Sequence, residues 1–182
     1  ISAAFAPDGF GPSERSLLAL SWSPDGSRLA VGTEGAEVCD PYVIYRGRLV
    51  AKSPRPTVGD ECGAEVWIFR DGLLDLNGYD AQLRGLDLYE GDVRTGAGLL
   101  TLSGSVYMES WAEFASSTIS GRLDLGPTGS RSFMVLGSGS ASLFLAAEVS
   151  GSADLSLSGE GVFSLSGSNT YTGTTPVNSG RL

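Results

Sequence analysis

Eight small residues, Ser27, Gly47, Gly72, Gly98, Gly121, Ala141, Gly161 and Gly180, each stand two places before an apolar side chain. Those side chains are Leu29, Leu49, Leu74, Leu100, Leu123, Leu143, Phe163 and Leu182. Seven of the phrases carry a second apolar residue four places on: Val31, Ala51, Leu76, Leu102, Leu125, Leu145 and Leu165. Subtracting successive starting positions gives intervals of 20, 25, 26, 23, 20, 20 and 19 residues. Alternate side chains of a strand point to opposite faces, so the two apolar positions share one face. A single such strand cannot bury itself; a series of them can, by stacking one repeat on the next.

The phrase therefore predicts an all-β chain, a right-handed parallel β-helix of about seven or eight coils. Its core would be one ladder running Leu29, Leu49, Leu74, Leu100, Leu123, Leu143, Phe163, Leu182. Residues 27–182 form the solenoid on this reading, and residues 1–26 an irregular N-terminal cap. Each coil must turn two or three times, which suits the 26 glycines of the chain, about twice the usual ~7% share. Corners are expected at "LNGYD" (Leu76–Asp80), "LSGS" (Leu102–Ser105) and "LSGSN" (Leu165–Asn169). The longer intervals place bulging loops near Lys52–Cys62 and Tyr89–Thr95. The stretch "LSWSPDGSRLAVG", Leu20–Gly32, has the look of propeller-blade strands, but a propeller needs roughly 4–8 blades. It is read here as the first coil or cap.

The last fifth of the chain carries a resemblance. "GVFSLSGSNTYTGTTPVNSGRL", Gly161–Leu182, resembles the autotransporter-associated β-strand repeat of bacterial passenger domains almost position by position. Phe163 in place of the first Leu, and Pro176 before Val177, are the main departures. "YRGRLVAKSP", "AEVWIFRDGLLDLNGYDAQLRGL" and "STISGRLDLG" look like connecting coils of such arrays. The resemblance implies an exported, extracellular or cell-surface β-helix with a structural or adhesive role, and no catalytic residues. In the last phrase Leu182 has no second apolar partner. That predicts an end completed by more β-structure, in a longer parent chain or through end-to-end stacking into a filament, with contacts from Val177, Asn178, Gly180 and Leu182.

Charge and chemistry narrow the partners. A net charge of −9 repels phosphate backbones, which argues against nucleic acid. No stretch approaches the ~20 apolar residues of a spanning helix. The chain has no histidine, so a Ser–His triad lacks its base, and no phosphate loop or metal-ligand spacing stands out. No cofactor is expected. Cys39 and Cys62 are expected to form one structural disulfide in an extracellular setting, contributing roughly 3 kcal/mol.

Two features offer something beyond scaffolding. Asp87, Glu90 and Asp92 could act as paired carboxylates in a polysaccharide-cleaving β-helix or hold calcium, against a plain reading as a solvated loop. Asp60 and Glu61 read the same way. Trp22, Trp67 and Trp111, with Tyr107 and Phe114, could form a carbohydrate-stacking platform, although such aromatics more often fill a core. A propeller-like binding module is the third class considered.

Overall fold

A computed structural model describes residues 17–22, 29–33, 42–45, 48–50, 65–110, 115–137 and 141–182. Every element among them is a strand. In order they are β1 (Leu17–Trp22), β2 (Leu29–Thr33), β3 (Tyr42–Tyr45), β4 (Arg48–Val50), β5 (Glu65–Phe69), β6 (Leu73–Asp75), β7 (Ala81–Leu83) and β8 (Gly85–Tyr89). They continue with β9 (Asp92–Leu102), β10 (Val106–Ser110), β11 (Ser116–Asp124), β12 (Ser130–Gly137), β13 (Ser142–Leu145), β14 (Glu148–Ser150), β15 (Asp154–Gly159) and β16 (Val162–Leu165). Most alternate buried and outward positions, the two-residue period of a half-buried strand.

The strands build two sheets, parallel from β3 onward, that wind around one core. The first runs β1-β2-β3-β5-β8-β10-β12-β15, and the second β16-β13-β11-β9-β6-β4. Two strands of the second sheet are long and serve two neighbours each. The start of β9 pairs with β6 and its end with β7; the start of β11 pairs with β13 and its end with β14. Each winding thus presents three strand stretches around the core. The bends fall at Gly96, with φ 67°, and Gly121, with φ 98°. At the second bend the Arg122 N–H donates to the buried Thr95 Oγ1 at 2.8 Å. A Cβ on Gly121 would stand 2.1 Å from that oxygen, so only glycine fits.

The chain is a β-solenoid, as the phrase predicted. Four complete windings separate β5 from β15, through β8, β10 and β12, fewer than the seven or eight coils expected. The phrases from Gly47 to Gly161 fall one per winding, on β4, β6, β9, β11, β13 and β16. The phrase at Ser27 instead leads into β2, which is antiparallel to its neighbours, and the one at Gly180 lies beyond the last named strand. The expected single ladder is corrected because the phrases at Gly98 and Gly121 occupy the second half of β9 and β11, a different stretch from the others. Leu49 pairs with Leu74, but Leu74 then meets Val93, Ile119, Leu145 and Leu165 in succession. Leu100 and Leu123 form another column with Ala81 and Val149. Leu143 lies between Ser117 and Phe163.

The first sheet supplies the columns the phrase did not mark. Val66, Leu86, Val106, Phe133 and Leu157 are successive partners, as are Ile68, Leu88, Met108 and Val135. All nine are buried. Each large apolar side chain buried in this way contributes roughly 1.5–3 kcal/mol, so the columns hold the windings together. Two expected ladder members fall outside. Leu29 lies in β2, which runs antiparallel to both β1 and β3, so the solenoid's parallel pairing begins at β3 and not at residue 27. Leu182 is 63% exposed.

Polar side chains fasten one winding to the next at the corners. Asp80 accepts from Leu99 N–H, Asp92 from Thr118 N–H, and Asp154 from both Thr174 N–H and its hydroxyl. These bonds hold the Asp154 carboxyl below its ordinary range. Asn77, with φ 52°, and Gly78, with φ 82°, form the corner expected at "LNGYD".

Candidate binding face

Because Val66, Ile68, Leu86, Leu88, Val106 and Met108 point inward, their neighbours on β5, β8 and β10 must point out. Outward from the first sheet stand Trp67, Asp87, Tyr107 and Met134, successive strand partners, and beside them Phe69, Tyr89, Glu109 and Leu136. Neighbouring strands are about 4.8 Å apart, so both rows climb the stack at that interval. Glu65 sits at the start of β5 beside them.

The aromatics touch one another. Phe69 and Tyr89 stack with centroids 4.4 Å apart and planes 3° from parallel. Tyr89 meets Tyr107 edge to face at 6.3 Å and 61°. The Tyr107 hydroxyl donates to Glu109 Oε2 at 3.0 Å. Burial, with Glu109 and the neighbouring charges, pushes the Tyr107 phenol up to about 12. Burial and then the negative charge of Glu65 push the Asp87 carboxyl up to about 6. Burial, then Asp87 and Glu109, raises Tyr89.

Of the residues singled out in the sequence, Trp67 and Tyr107 share this face, on either side of Asp87. Trp22 is placed by its backbone in β1, whereas Trp111 and Phe114 lie outside the described residues, as do Asp60, Glu61, Cys39, Cys62 and hence the expected disulfide. Phe69 and Tyr89 were missed as members. The alternation in "EVWIF" and "GLDLY" carried the signal, because every second residue of each had to face outward. Within this face one side of the Phe69 ring is covered by Tyr89.

The acid group divides. Asp87 lies on the outer face, while Glu90 occupies a turn with φ 65° and accepts from Ser110 Oγ at 3.1 Å. Asp92 opens β9 on the second sheet, where its carboxylate is bonded to Thr118. The three do not form a paired-carboxylate centre of the kind glycoside cleavage uses. Among the described residues no three His, Cys, Asp or Glu side chains are grouped to hold a metal ion.

Residues near the C-terminal end lie against the last named strands. Val177 bridges to Leu157 and Arg181 to Val162, both parallel. Asn178 N–H donates to Leu157 O at 2.8 Å and its amide to Ser156 Oγ at 2.9 Å. Gly180 has φ 85°, and Val177 is 44% exposed.

Comparison with protein families places a passenger-associated-transport-repeat at residues 155–182. The segment covers β15, β16 and the stretch laid against them, including all of the phrase read above as an autotransporter repeat. No curated protein and no solved structure matches the chain.

Proposed function

With that repeat as the premise, we propose that the chain is a stretch of an autotransporter passenger, exported and displayed on or released from a bacterial surface. Its work there is mechanical and adhesive rather than catalytic: a stiff stack of windings that holds its outer faces at a distance from the cell. The observation that carries this reading is the coincidence of the repeat at residues 155–182 with a continuous parallel solenoid upstream of it. End-to-end association of copies through Val177, Asn178, Gly180 and Leu182 is the alternative to a chain that continues its own windings there. Among the described residues no helix is long and apolar enough to cross a membrane.

The test is location. The gene beyond Leu182 is expected to encode the alternating strands of a membrane β-barrel, and antibodies to the solenoid should label intact cells. Finding the native protein confined to the cytoplasm overturns the reading.

A further inference from the structure

The outer face of the first sheet joins an apolar ridge to three carboxylates. Tyr89 touches both Phe69 and Tyr107, and Trp67 and Met134 lie on either side. Glu65, Asp87 and Glu109 stand among them, and no outward position of β5, β8 or β10 is a lysine or arginine. Asp87 has a carboxylate neighbour in Glu65 and a tyrosine as its next strand partner, so its negative charge is opposed by nothing positive on these strands.

We propose that this face is a docking surface for a cationic, arginine-bearing peptide segment of a partner protein. An arginine stem can lie along the ring edges of Phe69, Tyr89 and Tyr107 while its guanidinium forks onto Asp87 or Glu109. Charge complementarity selects this occupant over a neutral glycan. A glycan leaves the carboxylates unopposed and finds the Phe69 and Tyr89 rings stacked upon each other. The proposal stands independently of the passenger reading, because it concerns one face and no export route.

Calorimetric titration with a hexa-arginine amide peptide tests it, on the folded chain in low salt. Removing two carboxylates with Asp87→Asn and Glu109→Gln together is expected to weaken binding by about tenfold or more. Removing two from other exposed sites, with Glu148→Gln and Glu160→Gln, should change it by less than about twofold. Circular dichroism confirms that each variant keeps its strands. Should the first pair fail to fold, Glu109→Gln alone carries the test, with about threefold weakening expected. Equal losses in both pairs reduce the effect to overall acidity and overturn the proposal. So does absence of hexa-arginine binding, or tighter binding of cellohexaose than of the peptide.

Discussion

Arg94 and Asp75 meet across one winding, the guanidinium donating to Asp75 Oδ2 at 2.5 Å, while Arg48 holds the same oxygen from the winding before. The carboxylate is buried and both arginines are about half exposed. Burial by itself raises the Asp75 carboxyl, but the bonds from Arg94, the Asn77 N–H and Arg48 outweigh it and bring it down to about 2. A depressed carboxyl contributes stability above its unfolded value, and this is lost as pH falls through the folded one. Asp75→Asn is therefore expected to cost about 1–3 kcal/mol at neutral pH, with both arginines free to rehydrate. Urea midpoints at pH 7 and pH 2.5 check this: the gap between the two proteins should shrink in acid.

Asp87 has the opposite sign. Its carboxyl is raised by burial and by Glu65, and Tyr89 and Tyr107 lie near enough to feel its charge. Between the unfolded value of 3.8 and about 6 the folded protein holds the extra proton, so stability falls as pH rises through that window. Asp87→Asn should stabilise the chain at pH 7 by about 1 kcal/mol, after discounting for a half-exposed site, and flatten the profile between pH 4 and 6. A profile unchanged by the substitution would place the titration elsewhere.

Two glycines separate steric from conformational demand. Gly121 and Gly78 both have positive φ, but a Cβ at Gly121 collides with Thr95 Oγ1 and one at Gly78 meets nothing within 4 Å. Gly121→Ala is expected to cost about 3 kcal/mol or more, and Gly78→Ala about 1 kcal/mol. Thermal melts of the two variants should rank them in that order.

The columns predict an inside–outside contrast. Met108 and Leu123 are fully buried, whereas Phe144 is 40% exposed on β13. Truncating either buried side chain to alanine should cost about 2–5 kcal/mol, and Phe144→Ala under about 1 kcal/mol. Equal effects would mean the columns are not the core.

Much of the strand architecture was legible, because strand alternation is a local property. Leu74 and Leu76, Leu100 and Leu102, Leu123 and Leu125, and Leu143 and Leu145 were paired as neighbours on one face, and all eight are buried. Their vertical partners were legible only in part: Leu49 with Leu74, Leu100 with Leu123 and Leu143 with Phe163 pair as expected, and the steps between these pairs do not. Leu74 was set against Leu100, yet it pairs with Val93, because the phrase marks strands that follow turns and not positions on a given side. In β8 and β12 the matching start is Arg84 or Arg131 in place of a small residue, so Leu88 and Val135 went unmarked; β10 does carry the phrase, Gly104 before Val106 and Met108, and it was passed over. The outer face was half read: Trp67 and Tyr107 are conspicuous residues, but Phe69 and Tyr89 meet through cross-strand stacking, which no linear spacing encodes.

The columns of the first sheet ask only that an aliphatic or aromatic group sit above another. Phe133 rests on Val106, which rests on Leu86, and each would accept the other's neighbour. Height is thus an adjustable quantity of the architecture. Whole storeys can be gained or lost by duplication or deletion while those above and below keep equivalent floors and ceilings, so lineages carrying this design can change their reach without redesigning it.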